Sequence, residues 1–210
     1  MHASTAIIIL AAGESSRMGE PKQLLEYNGS TLIHRTIEIA LKAKRLSDNS
    51  SNIFIVLGSK ADDIKYEIVS TFNRKERKGF NILINPEWHE GIASSIRCGI
   101  SALPHSTDAV LFLLCDQPLV TAEHADTLIN ASMDPDALIV ASAYGGTLGV
   151  PALFKKALFP ELMKLTGNEG ARRVIHDHQK ETIGILFPGA EFDMDKPGES
   201  PASDESSHYF

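Results

Sequence analysis

The stretch Ala6-Ile-Ile-Ile-Leu-Ala-Ala-Gly-Glu-Ser-Ser-Arg-Met-Gly-Glu-Pro-Lys22 decides the fold class. Its first six residues are a short, β-branched apolar run ended by a glycine, which reads as a strand buried on both faces. Comparable runs recur at Ile53–Leu57, Asn81–Ile84, Ala109–Leu114 and Ala137–Ala141. Helical patterns lie between them. Ser30 or Thr31 caps a helix whose Leu32, Ile33, Ile37, Ala40 and Leu41 share one face. Ile64, Ile68 and Val69 mark a second helix, Ile92, Ile96 and Ile100 a third, and Ala122–Ala131 a fourth. Strands alternating with helices imply βαβ units, hence a mostly parallel sheet in an α/β domain with ligands at the carboxyl ends of its strands.

The chain has 210 residues, 43% of them apolar and 22% charged, which suits one globular α/β domain. Residues 1–195 are expected to form it. Residues 196–210, polar and rich in Pro and Ser, read as a disordered acidic tail. The net charge is −7, and five of those charges fall between Glu191 and Phe210. No basic face for nucleic acid is expected, and an anionic ligand must be held by local groups. The longest uncharged stretch, Ala137–Phe154, is interrupted by glycines and a proline and cannot span a membrane. Cys98 and Cys115 are too few for a disulfide framework, so reduced thiols and a cytoplasmic location are expected.

Chemistry concentrates after the first strand. Neither phosphate-loop pattern fits. G-x-G-x-x-G would need a third glycine beside Gly13 and Gly19, and the P-loop pattern fails at Met18. What remains is a small-residue turn exposing backbone N–H groups, followed by Arg17 and Lys22. A planar fork and a movable point charge suit a triphosphate. The rival reading is a solvated loop with chance charges. Asp116 follows the most apolar strand, Ala109–Leu114, so its carboxylate stands at the sheet edge, as a metal ligand or a turn residue. Asp193 and Asp195 are two apart and share a face if extended. They could supply a second carboxylate or simply belong to the acidic tail. Gly91, Ser94 and Ser95 open the third helix and could meet a base or ribose, or cap the helix. Arg97 could reach phosphate or pair with an acid. His124 reads as surface, His176 and His178 diverge, and Trp88 reads as packing.

Five blocks in order carry a family resemblance. Leu10–Lys22 resembles L-A-A-G-x-S-x-R-M-G-x-P-K. Asn85–Gly99 resembles N-P-x-W-x-x-G-x-x-S-S-[IL]-R-x-G. Leu113–Pro118 resembles L-x-x-D-x-P, Leu165–Arg172 ends in a G-[DN]-x-G-A-[RK] pattern, and Phe192–Pro197 resembles a closing D-[IV]-D-T-P. Together they resemble the molybdenum cofactor cytidylyltransferase family over residues 6–197.

The resemblance implies a three-layer α/β/α sandwich of the nucleotide-diphospho-sugar transferase type. It implies CMP transfer from CTP to the terminal phosphate of molybdopterin, with Mg2+ as cofactor and pyrophosphate released. It places Lys22 near the α-phosphate, Arg17 near the β- and γ-phosphates, and Asp116 with Asp193 or Asp195 on the metal. Leu10, Ala11, Ala12 and Gly13 would line the base pocket, where the Ala12 methyl would narrow it against a purine. Proteins that mature molybdenum enzymes are implied as partners by family context. Two departures concern the acceptor: Gly149-Val150-Pro151 stands for G-[NH]-P, and Lys196 stands for Thr in the closing block. A sugar phosphate or other small phosphate therefore stays open as acceptor, as does a nucleotide-binding module without turnover.

Overall fold

The computed structural model describes residues 4–14, 21–46 and 52–194. Its centre is a sheet of seven strands: β1 (Thr5–Ala11), β4 (Ile53–Leu57), β5 (Asn81–Ile84), β6 (Ala109–Leu114), β7 (Ile139–Tyr144), β8 (Thr147–Lys155) and β9 (Thr182–Leu186). Their spatial order is β5-β4-β1-β6-β8-β7-β9. A two-stranded hairpin of β2 (Glu26–Tyr27) and β3 (Ser30–Thr31) stands apart. The helices are α1 (Leu32–Leu46), α2 (Ala61–Thr71), α3 (Ile92–Ser101), α4 (Ala122–Ala131), α5 (Phe159–Leu162) and α6 (Arg172–Asp177).

Every residue of β1 is buried, because helices cover both faces of the sheet. The pleat sends Ile7, Ile9 and Ala11 into a core shared with α1, α2 and α4. Ala6, Ile8, Leu10 and Ala12 enter the opposite core, with α3, α5 and α6. β4 and β6 alternate in the same way, which is why their sequences are continuously apolar. The expected three-layer α/β/α arrangement is therefore present. Among the described residues no helix is long and apolar enough to cross a membrane.

The parallel part comprises β5, β4, β1 and β6, with β7 parallel to β9. β8 runs antiparallel to both β6 and β7 and has no counterpart in the apolar-run pattern. Gly149 and Pro151 interrupt it, and both weaken a strand signal. α1 begins as expected: the Thr31 hydroxyl accepts from the His34 N–H at 3.3 Å. β4 lies on one side of β1 and β6 on the other, so the connection order reverses at β1/β6. Such a reversal opens a crevice at the carboxyl ends of the two strands.

Candidate active site

Leu10 of β1 is paired with Leu114 of β6, so Ala11–Gly13 and Cys115–Gln117 leave the sheet side by side. Lys22 opens a 3-10 turn, Lys22–Leu24, beneath this edge. Its Nζ donates to Asp116 Oδ2 at 3.0 Å, joining residues far apart in sequence in one part-buried ion pair. The structure therefore brings Lys22 and Asp116 together. Arg17 lies outside the described residues.

Asp116 Oδ1 is shut away from solvent and accepts no hydrogen bond from the described residues. A buried carboxylate oxygen without a donor is costly. A hard divalent cation would satisfy it, and oxygen is the donor such ions take. The Met194 N–H donates to the Asp116 carbonyl at 2.8 Å, which straps the chain beside Asp116 and places exposed Asp193 one residue away. Asp195 lies outside the described residues, as does the 196–210 tail. Among the described residues no group of three or more His, Cys, Asp or Glu side chains converges. The orphaned Asp116 oxygen is the feature that suits a hard divalent ion, whose other ligands would then be phosphate oxygens and water. Cys115, buried beside this edge, has its thiol pushed upward first by burial and then by the Asp116 charge, so it is no nucleophile.

Three residues that the motif reading passed over hold this edge in shape. Gln23 is buried, and its Nε2 donates to the carbonyls of Ala11 at 2.9 Å and Gly13 at 3.1 Å. It ties the Lys22 turn to the loop leaving β1. Gln117 Nε2 donates to the carbonyls of Val150 at 3.1 Å and Ala190 at 2.8 Å, locking the residue after Asp116 to β8. Arg35 on α1 donates to the Pro118 carbonyl at 2.9 Å. Their only sequence signal was adjacency to Lys22 and Asp116 for the two glutamines.

Ala12 and Leu10 face the α3 side and Ala11 faces α1; all three are buried, while Gly13 is exposed with open space around it. The Ala12 carbonyl accepts from the Ser59 N–H at 3.2 Å. A methyl at Gly58 would meet Trp88 and, at 2.8 Å, the same Ala12 carbonyl, so Trp88 packs against the rim of this loop.

For Ser94 and Ser95 a ligand contact and a helix-capping role were both open. Both are buried, and Asn85 Nδ2 donates to their hydroxyls at 2.9 and 3.1 Å. Ser94 Oγ itself donates to the Gly91 carbonyl at 2.8 Å. With these partners the two hydroxyls brace the start of α3. Gly91 has φ 122°, and a Cβ there would collide with Gly167 and with Asn168 Oδ1. Arg97 pairs with an acid: its Nη1 donates to Glu90 Oε1 at 2.9 Å and to the Leu165 carbonyl at 2.7 Å, and its Nη2 binds Glu90 Oε2. That pairing, with the Gly167 N–H, holds the Glu90 carboxyl down to about 2.

His124 is buried, not on the surface. Ser142 Oγ donates to the Pro151 carbonyl at 2.7 Å, so its hydroxyl proton is used. His124 Nε2, 2.7 Å from the same oxygen, must be the donor, and the ring stacks on Phe187 at 4.0 Å. Burial lowers its pKa from 6.5 to about 4. A histidine that titrates lower in the folded than in the unfolded state favours unfolding once protonated. Its cost is absent above about pH 6.5 and grows as pH falls towards 4. Between pH 7 and pH 4.5 urea unfolding of wild type is expected to lose roughly 2 kcal/mol more than His124→Asn. Equal losses in the two proteins would remove His124 as the titrating group.

The chain matches the MobA-like NTP transferase domain over residues 7–182. It is 26% identical over 196 residues to the purine catabolism protein PucB of Bacillus subtilis (strain 168), covering 91% of this chain and 92% of that one. It is 27% identical over 190 residues to the molybdenum cofactor cytidylyltransferase of Escherichia coli (strain K12), covering 90% of each. The structure of Rv0371c from Mycobacterium tuberculosis H37Rv superposes with a TM-score of 0.76 at 24% identity, over 93% of this chain and 95% of that one. That protein has also been crystallised in complex with manganese. The structural likeness shows the shared fold, that of the nucleotide-diphospho-sugar transferases.

Proposed function

Because the chain belongs to the MobA-like NTP transferase domain family, we propose that it transfers CMP from CTP to the phosphate of a small, molybdopterin-type acceptor and releases pyrophosphate. The observation that carries this reading is the Lys22–Asp116 pair with its unpartnered Asp116 Oδ1, set at the β1/β6 crevice. A lysine ammonium and a carboxylate oxygen without a donor make a site for a metal–triphosphate rather than for an uncharged ligand.

The nucleophile is an acceptor phosphate oxygen, already anionic, so no strong base is required. It forms a bond to the α-phosphorus as the bond to the bridging oxygen of pyrophosphate breaks. The protein's task is to align these atoms and to offset the charge. Asp116 and Asp193, with Asp195 beyond the described residues, would hold Mg2+, which supplies charge neutralisation on the phosphates. Lys22 approaches the α-phosphate, and Arg17 takes the β- and γ-phosphates. Leu10, Ala11, Ala12 and Gly13 would line the base side through their main chain, and Gly91 would meet the base or ribose. The preference for a pyrimidine rests on the family resemblance at Ala12, whose methyl packs toward the α3 side of the sheet. Soluble phosphate substrates and two free thiols, Cys98 and Cys115, accord with a cytoplasmic enzyme that serves molybdenum enzyme maturation. A different small phosphate acceptor is favoured by Val150, whose side chain is apolar where the related pattern has Asn or His.

Thermal melts with CTP, GTP, UTP and ATP plus Mg2+ test the nucleotide half. At about 100 times its dissociation constant a ligand adds about 2.7 kcal/mol, and for a chain of this size that raises Tm by roughly 5–10 °C. CTP is expected to give the largest shift, and only with Mg2+. A flat response to all four nucleotides would overturn the triphosphate reading.

A further inference from the structure

Arg172 and Arg173 are adjacent on α6, both exposed, and differently engaged. Arg173 is neutralised by two acids: its Nη1 binds Glu169 at 2.8 Å and its Nε binds Asp177 at 3.1 Å. Arg172 forms no ion pair among the described residues. Instead its Nη2 lies 3.1 Å from the Tyr144 hydroxyl. That hydroxyl donates its own proton to the Val150 carbonyl at 3.1 Å, so it accepts from the guanidinium. The Val150 carbonyl also receives Gln117 Nε2 at 3.1 Å. Two hydrogen bonds on one carbonyl therefore link Arg172 to the residue after Asp116. Gly149 leaves room for the arrangement: a Cβ there would collide with Tyr144 and approach Arg172 Nη2 to 3.0 Å.

A solvated arginine needs no such support. This one is oriented by the Tyr144 hydroxyl, pairs with no carboxylate among the described residues, and is joined through Tyr144 and the Val150 carbonyl to Gln117, the residue after Asp116. A planar guanidinium with free N–H groups is the group that receives a phosphate in a bidentate manner. We propose that Arg172, oriented by Tyr144 above Gly149, binds the phosphate of the acceptor. The inference rests on the transferase reading above and adds to it the residue that recognises a phosphate monoester. It also accounts for an apolar Val150 at this edge, since the polar contact comes from α6. Glu191, whose carboxylate lies near Gly145, is the acid that would repel an incoming phosphate. It is exposed and can turn away.

The test is calorimetric titration of the full chain with inorganic phosphate, with and without saturating CTP and Mg2+, on wild type, Arg172→Ala and Arg172→Lys. With the nucleotide site filled, Arg172→Ala is expected to weaken phosphate binding at least tenfold. Arg172→Lys, which keeps the charge but loses the fork, should weaken it about threefold. CTP affinity should stay within twofold in all three proteins. Phosphate binding by Arg172→Ala within twofold of wild type would overturn the proposal, and so would no phosphate binding by wild type under either condition. If CTP fails to bind wild type, the nucleotide reading falls, yet the phosphate titration without CTP still decides the role of Arg172.

Discussion

Asp116→Asn is expected to lower turnover by on the order of 10³-fold while leaving the protein as stable as wild type, or slightly more so. The two effects separate if, as proposed, Asp116 serves the loaded site and not the fold. Its Oδ1 is buried with no hydrogen-bond donor among the described residues, an arrangement that costs stability and that a cation would relieve. Asparagine keeps the shape and removes the charge, so it lessens that cost, a buried neutral amide being cheaper than a buried carboxylate, and it removes metal affinity. Metal charge stabilisation amounts to several kcal/mol, and each ~1.4 kcal/mol is tenfold in rate. The Met194 N–H binds the Asp116 main-chain carbonyl, so the strap that brings Asp193 near should survive the substitution. Pyrophosphate release gives the rate, and a melting curve gives the stability. A large fall in Tm would recast Asp116 as a structural residue, and turnover within tenfold of wild type would remove it from the metal.

The fold was legible wherever burial was complete. β1, β4 and β6 are covered on both faces, and a doubly covered strand has an unbroken apolar sequence. β8 escaped because Gly149 and Pro151 break the run, and β9 because none of its five residues is fully buried. Asp116 was visible because it stands just beyond an apolar strand, and Lys22 because it follows the small-residue turn that leaves another. That they touch was not visible, since the contact depends on β1 lying beside β6. The same holds for Gln23 and Gln117, whose amides find their partners only after the sheet is assembled. Ser94 and Ser95 sit at the predicted place, at the start of α3. The side chain that claims them, Asn85, belongs to the preceding loop, so their inward direction had no local signature. His124 was misread for a similar reason: Ser142 and Phe187 enclose it from elsewhere in the chain.

Lys22→Ala should cost on the order of 10² in kcat, the scale of losing one preorganised contact to developing charge. Its stability should move by no more than about 1 kcal/mol, because the pair is part-exposed and such pairs contribute little. The sharper test is the combination with Asp116→Asn. In the structure Lys22 Nζ already rests on Asp116 Oδ2, so the ammonium is placed by the carboxylate that, in the proposed reading, it would share with a metal. If the two groups act as one unit on the α-phosphate, the double variant loses about as much activity as the worse single variant, not the product of both losses. Independent action would instead multiply the two losses. Multiplied losses would mean that the ion pair seen at 3.0 Å is broken before the chemical step, with Lys22 following the phosphate and Asp116 the metal. A near-normal kcat in Lys22→Ala alone would leave the pair as a structural contact and move the phosphate-binding role to Arg17.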